Sequence, residues 1–186
     1  MARPPTISDG VTPLPIKRQH LEVAIADAKA DPAAVRTLRC RTVAQGRLHQ
    51  LNYIRDLPPH PVMEDEPEGL LGEALAPNAS EALLAALGSC LSIGIHANAL
   101  AQGIPIRSLE LTVEADINPT SVWGSGDLHP KTIGFDTIRV AVNIDADASR
   151  KTLASLVKHT VLWSPVANTL HNPVHLDVAL ASAVVA

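Results

Sequence analysis

The residues of this chain most able to do chemistry are its two cysteines, Cys40 and Cys90. A thiol acts as a nucleophile or a redox centre when it is ionised and reachable, whereas a buried free cysteine is usually an inert small apolar residue. Neither cysteine belongs to a CxxC pair, and no HExxH segment occurs. Because metal sites need such ligand spacing, the sequence predicts no metal ion and no cofactor. Cys90 lies at the middle of a long apolar segment, and this placement needs an explanation.

A helix over Asn78–Gln102 is predicted to carry Cys90. Asn78 or Ser80 can accept from the first free amides, and Glu81 follows Asn78 by three residues, which completes a capping box. Gly103 ends the helix. These signals predict a single helix more than five turns long, with the thiol near its centre.

The predicted helix is apolar or small at every position from residue 82 to residue 95. A helix that is apolar all round is buried. A membrane span needs about 20 uninterrupted apolar residues, and here polar side chains fall inside that length, namely Ser89, Ser92, His96 and Asn98. We therefore predict a buried core helix and no membrane partner.

The rest of the chain predicts strands on both sides of this helix. The strands are expected at residues 35–44, 47–55, 62–64, 107–116, 134–144 and 174–184, and further helices at residues 16–30, 148–163 and 165–170. Alternation in the first strand turns Cys40 towards an apolar side, and alternation in the last strand turns Val174, Leu176, Val178 and Leu180 inward. The order predicts an α+β fold, with residues 1–34 as an N-terminal extension containing a helix and residues 35–186 as the main domain.

Composition excludes several classes of partner. The formal net charge is −4 and aromatic residues make up 2% of the chain, so a basic footprint and stacking platforms for nucleic acid are both missing. Two cysteines in 186 residues do not form the disulfide framework of a secreted protein, and no charged-then-apolar leader is seen. We expect a cytoplasmic protein whose thiols are kept reduced.

The segment Ala76–Cys90, APNASEALLAALGSC, closely resembles the central-helix motif of the OsmC/Ohr family, the osmotically inducible and organic hydroperoxide resistance proteins. Three further segments resemble landmarks of that family in the right order: Asp65-Glu66-Pro67, Ala101–Ile104 and Ser164–Leu170. The resemblance covers roughly residues 35–184. It implies antiparallel sheets packed around a long buried central helix in an intertwined homodimer.

The resemblance also implies a thiol-dependent, peroxiredoxin-like activity against organic hydroperoxides in the oxidative stress response. Cys90 matches the cysteine that attacks the peroxide, and Glu81 matches the glutamate of the motif, although a capping role explains it equally well. A family arginine would stabilise the thiolate, because the mid-helix position denies Cys90 a helix N-terminus. Candidates on the early strands are Arg39, Arg41, Arg47 and Arg55, and Arg39 is the residue we name for this role.

The sequence departs from the family pattern at Ser164, which stands where peroxidase members carry a second, resolving cysteine. A serine can cap the following helix but cannot form a disulfide. One interpretation is a one-cysteine peroxidase in which an external thiol, or Cys40, reduces oxidised Cys90. An alternative is a non-catalytic dimer that binds a small hydrophobic ligand, and a third interpretation makes Cys90 a core residue only.

Overall fold

The computed structural model describes residues 17–30, 37–38, 40–45, 49–54, 62–117 and 134–180. The chain divides into two compact units, Met1–Arg36 and Thr37–Ala186. The boundary expected after residue 34 stays a prediction. In the first unit, α1 spans Arg18–Ala30. Leu21 on this helix is half-buried and Ile25 is exposed.

The second unit has the predicted mixture of strands and helices. Its elements are β1 (Cys40–Gln45), β2 (His49–Ile54), β3 (Val62–Glu64), α2 (Ala79–Ala101), β4 (Ile106–Ile117), β5 (Phe135–Ala146), α3 (Arg150–Trp163) and α4 (Pro165–His171). Two small antiparallel sheets result, one in the order β1-β2-β3 and one formed by β4 and β5. The α+β class is therefore confirmed, with α2 between the two sheets in sequence.

The β4–β5 pair has its register set by alternating apolar residues and by ion pairs. Leu111 lies opposite Val142, so the half-buried side chains of both strands share one face. On exposed positions, the Arg139 guanidinium donates to both carboxylate oxygens of Asp116, at 2.7 and 2.9 Å. This hydrogen bonding holds the pKa of Asp116 below its usual value.

Helix α2 is buried along one face rather than all round, which corrects the sequence interpretation. Its buried residues, Leu87, Leu91, Ile95 and Ala99, recur every four positions. Ile95 and Ala99 form the core with Leu156 of α3. By length and composition α2 could cross a membrane, and 22% of its apolar window is buried. The core helix of a soluble protein meets the same test, and the packing of α2 on β4, α3 and α4 is that of a core helix.

Small residues let α2 approach its neighbours closely. A Cβ at Gly88 would lie 3.3 Å from Cγ2 of Val113 on β4, and a Cβ at Gly94 would lie 2.6 Å from Cγ2 of Thr160 on α3. The second distance is shorter than real carbon contacts allow. Gly94 is therefore required for the close packing of α2 on α3.

The last predicted strand is not formed. Residues 173–180 have no regular structure, and the side chains expected to turn inward are exposed, up to 98% for Leu180. The predicted residues 181–184 lie outside the described part. The alternation of the sequence is real, but an extended segment becomes a strand only when a second strand satisfies its backbone groups. Within one chain, the described residues supply no such partner to this segment.

Thr160 offers a test of the α2–α3 packing. It is 2% exposed, and its Oγ1 atom has no hydrogen-bond partner within the described residues. A buried hydroxyl without a partner is destabilising, so Thr160→Val, which keeps the shape, is expected to raise the free energy of unfolding by about 1 kcal/mol. Urea denaturation followed by circular dichroism measures this change.

The matched control is Thr152→Val, an exposed threonine on the same helix. The Thr152 hydroxyl lies 2.9 Å from the hydroxyl of Ser149, so the control loses an exposed hydrogen bond, whereas Thr160→Val loses a buried hydroxyl that has no partner among the described residues. We expect the control to lower the free energy of unfolding by at most about 1 kcal/mol. A Thr160→Val protein that is less stable than the wild-type protein would show that the hydroxyl is satisfied.

Candidate functional site

The loop that leads into α2 is organised by Asp65. This aspartate is buried, and one of its carboxylate oxygens accepts the backbone N–H groups of Glu73 and Leu75, each at 3.1 Å. The Asp65 N–H donates to the carbonyl of Pro77 at 3.1 Å. These bonds fold residues 65–77 back on themselves and fix where α2 begins. The sequence marks Asp65 as a landmark but does not indicate this role, because the amide partners of its carboxylate are eight and ten positions away.

The start of α2 has the predicted capping box. Asn78 accepts the N–H of Glu81 through its side chain, and the Glu81 carboxylate accepts the N–H of Asn78, both at 2.9 Å. Two of the free amides of the first turn are thereby satisfied. Glu81 is exposed and its carboxylate is engaged in this box. The capping interpretation of Glu81 is confirmed, while a catalytic role stays a prediction.

Cys90 and Ser164 are brought together across the core, although they are 74 positions apart in sequence. Sγ of Cys90 lies 3.2 Å from Oγ of Ser164, within hydrogen-bond distance. Cys90 is half-buried, and Ser164 is 4% exposed. The helix-borne thiol and Ser164, which the family resemblance predicts to stand at the position of the second cysteine, are therefore neighbours in space.

Ser164 is positioned by the junction between α3 and α4. Pro165 cannot continue α3 as a helix, so Ser164 takes an extended conformation and α4 starts at the proline. Oγ of Ser164 accepts the N–H of Ala167 at 3.2 Å, as predicted for an N-cap. The same hydroxyl therefore caps α4 and faces Cys90.

Asn168 strengthens this junction. Its side-chain amide donates to the carbonyl of Leu162 at 3.0 Å and to the carbonyl of Ser164 at 2.8 Å. It thus satisfies an acceptor at the end of α3 and one at the N-cap of α4. The sequence analysis did not single out Asn168, although its place in the Ser-Pro-Val-Ala-Asn run was a usable signal.

Two of the other proposed residues are not joined to this pair. Arg41 is exposed and its guanidinium lies over the ring of Tyr53, 4.0 Å from its centre. Arg39, the residue named as the activating cation, lies outside the described residues, as do Arg47 and Arg55. Cys40 is exposed, and it lines a cleft beside α2 whose other lining residues are mostly apolar. Among the described strands, β1 is the edge of its sheet, with β2 as its one partner.

Clefts flank α2 on both sides. The larger, of about 1470 Å³, separates α2 from β4 and the β1–β3 sheet, and its lining includes Gly88, Ser92 and Leu111. The smaller, of about 570 Å³, is lined mainly by apolar residues of α2, β5, α3 and α4. Cys90 belongs to neither lining, in contrast to the expected cleft around the thiol. Across the described residues, no group of three or more metal-binding side chains occurs.

The arrangement can perform one kind of chemistry. A cysteine thiol is the strongest nucleophile among the protein side chains when ionised, and a hydroxyl lies within hydrogen-bond distance of it. A serine cannot condense with an oxidised cysteine to a disulfide. The pair can therefore support oxidation of Cys90, but not its internal reduction by residue 164.

Comparison of the fold with solved structures gives several matches. An OsmC-like protein from Mycoplasma pneumoniae matches with a TM-score of 0.61 and 16% identity, over 74% of this chain and 89% of that one. An OsmC-like protein from Vibrio cholerae matches with a TM-score of 0.59 and 10% identity, over 72% and 93% of the two chains. At sequence identities this low, the similarity shows a shared fold.

A third match is a candidate organic hydroperoxide resistance protein from Vibrio cholerae with captopril bound in one of its active sites. Its TM-score is 0.53 and its identity 17%, with 74% of this chain and 86% of that one covered. No curated protein sequence matches this chain significantly. The sequence profile of the OsmC-like proteins matches residues 72–179, more than half of the chain and including both Cys90 and Ser164. This protein therefore belongs to the OsmC-like protein family.

Proposed function

We propose that this protein serves oxidative-stress defence by reducing organic hydroperoxides, with Cys90 as the peroxidatic thiol and an external thiol as the reductant. The observation that carries the proposal is the contact of 3.2 Å between Cys90 Sγ and Ser164 Oγ. It joins the thiol of the central-helix motif to the residue at the place of the resolving cysteine. Membership of the OsmC-like family supports the general role.

The proposed reaction proceeds in balanced steps. The Cys90 thiolate attacks one oxygen of the hydroperoxide, the O–O bond breaks, and the other oxygen leaves as an alcohol after taking up a proton. Cys90 becomes a sulfenic acid. An external thiol then condenses with it to a mixed disulfide and releases water, and a second external thiol restores Cys90 and leaves as the oxidised disulfide.

The need for an external reductant follows from residue 164. In a two-cysteine enzyme the nearby thiol would take the place of the first external thiol. Ser164 occupies that place here and has no sulfur to offer. Cys40 is exposed on an edge strand, so it has no geometric advantage over a thiol from solution. A reducing cytoplasm, where we place the protein, supplies such thiols.

Mass spectrometry tests the proposal directly. The protein is incubated with cumene hydroperoxide in the presence of dimedone, which labels sulfenic acids, and the modified peptide is identified. We expect the label on the peptide that contains Cys90, in the wild-type protein and in Cys40→Ser. A folded protein whose Cys90 stays an unmodified thiol under excess peroxide would refute the proposed function.

We further propose that the working form is a homodimer. Ile93 on α2 is 70% exposed, and the alternating apolar side chains of residues 174–180 have no strand partner among the described residues. A second copy of the chain presents the same apolar face of α2 and the same extended segment. In a dimer, each copy would cover the α2 face of the other, and their extended segments would pair. Contiguous exposed apolar surface often marks a contact with another protein chain.

The dimer proposal predicts a change in molecular mass for a charged variant. Sedimentation velocity should show a dimer for the wild-type protein at micromolar concentration. Ile93→Glu should shift the protein to monomer or unfold it, because the carboxylate would be buried without a partner. Lys151→Glu, at an exposed polar position on α3, should remain dimeric. A wild-type protein that sediments as a monomer would contradict the proposal.

A further inference from the structure

We propose that Ser164 is a positioning residue whose hydroxyl donates a hydrogen bond to the Cys90 thiolate and so favours ionisation of the reacting thiol. This inference rests on the proposed role of Cys90. It assigns the serine an active part in place of the lost resolving function. Three observations carry it: the bonding geometry of the hydroxyl, its burial, and the distribution of charge around the pair.

The first observation is how the hydroxyl is shared. A serine hydroxyl has one proton to donate and two lone pairs to accept with. One lone pair accepts the N–H of Ala167 at 3.2 Å, which leaves the proton free to point at Cys90 Sγ, also at 3.2 Å. When Cys90 is a neutral thiol, either group can donate. Once Cys90 is ionised it has no proton, so the serine must be the donor.

The second observation is burial. Ser164 is 4% exposed, so little water competes for its hydroxyl, and the junction around Asn168 holds its backbone in place. A hydrogen bond to an ionised acceptor is roughly twice as strong as one between neutral groups. The bond therefore strengthens when the thiol loses its proton. This difference between the two states is what shifts the equilibrium towards the thiolate.

The third observation concerns charged groups. No ion pair or hydrogen bond within the described residues joins a charged side chain to Cys90 or Ser164. The ionisable side chains on α2 and on the elements packed against it are exposed, namely Glu81, His96, Arg107, Glu110, Glu114, Asp116, Arg150, Lys151, Lys158, His159 and His171. Among the described residues, Ser164 is thus the side chain that is hydrogen-bonded to the sulfur.

A purely structural role for Ser164, as the cap of α4, makes a different prediction, and variants separate the two. Ser164→Gly removes the hydroxyl but keeps most of the capping preference, since glycine is a tolerated N-cap. Ser164→Thr keeps both the hydroxyl and the cap. Ser149→Gly is the matched control, because Ser149 caps α3 in the same way, accepting the N–H of Thr152 at 3.1 Å, but is exposed.

The experiment measures the rate of alkylation by iodoacetamide against pH, with Cys40→Ser as the parent so that Cys90 is the single thiol. Removing a hydrogen bond to a charged group should raise the midpoint of the Ser164→Gly profile by about one pH unit, a roughly tenfold loss of thiolate below the midpoint. Ser164→Thr should restore the parent midpoint, and Ser149→Gly should leave it unchanged. Thermal melts by circular dichroism establish that each variant is folded.

The inference is overturned if the alkylation profile of Ser164→Gly has the same midpoint as that of the parent. It is also overturned if Ser149→Gly shifts the midpoint as much as Ser164→Gly does. Its failure is distinguishable from failure of the proposed function, because alkylation requires only a thiolate. A shifted midpoint in a protein that does not react with cumene hydroperoxide would support the hydrogen bond and refute the peroxidase. Equal midpoints in a protein whose Cys90 is oxidised by cumene hydroperoxide would refute the hydrogen bond and support the peroxidase.

Discussion

Cys90→Ser is expected to lower the rate of cumene hydroperoxide consumption, with dithiothreitol as the reductant, by roughly a thousandfold or more, because loss of a catalytic nucleophile has effects of that order. A serine hydroxyl does not ionise near neutral pH and cannot form a sulfenic acid. The change from sulfur to oxygen is small, so the packing of α2 against the α3–α4 junction should survive. Residual hydroperoxide measured by the ferrous xylenol orange assay reports the rate.

Cys40→Ser is the control for that measurement, since it removes the other thiol of the chain. We expect it to retain the wild-type rate. If Cys90→Ser consumes hydroperoxide as fast as the wild-type protein, Cys90 is not the peroxidatic residue. The ligand-binding interpretation predicts that neither the wild-type protein nor Cys90→Ser consumes hydroperoxide. It also predicts that both proteins bind a small apolar ligand equally well.

Ser164→Cys is expected to form an intramolecular disulfide with Cys90 on treatment with hydroperoxide. The two side-chain atoms are 3.2 Å apart, and a disulfide needs about 2.05 Å, so an approach of about 1 Å suffices. The sulfenic acid at Cys90 would condense with the new thiol and release water. The variant should then turn over with reductants that reduce disulfides, as two-cysteine enzymes do.

Intact mass and thiol titration after treatment detect the disulfide, and denaturation detects its effect on stability. Because the bond would close a loop of 74 positions, the free energy of unfolding should rise by roughly 2–4 kcal/mol over the reduced form. Both variants are made in Cys40→Ser, because Cys40 and Ser92 line the same cleft. Ser92→Cys is the matched control: it lies two positions from Cys90 on α2, and such pairs do not face each other on a helix. If both variants, or neither, formed an intramolecular disulfide, the geometry of the site would be refuted.

The features that the sequence predicted well are those set by neighbouring residues. The capping box of Asn78 and Glu81 and the cap at Ser164 before Pro165 each depend on a few consecutive positions. The alternating strands β4 and β5 were likewise predicted to within two residues. Together with the motif around Cys90, these local patterns were enough to identify the family and to name both members of the central pair.

The features that the sequence misjudged depend on what lies opposite an element. An apolar α2 was predicted to be buried all round, but a single chain covers one face. Residues 174–180 alternate like a strand, yet no described strand lies beside them. Asp65 was noted as part of a family landmark, and its long-range amide partners could not be inferred from its neighbours in sequence. Hydrophobic patterning tells which side chains avoid water, but not what covers them.

The junction at Ser164 bears on how the family could diversify. Serine and cysteine differ there by one atom, and their codons can differ by a single base. Pro165 and the amide of Asn168 maintain the bend between α3 and α4 through contacts that do not involve the Ser164 side chain. Under the proposed function, a lineage would exchange self-contained turnover for dependence on the cellular thiol pool, and return, in one mutational step that leaves these contacts in place.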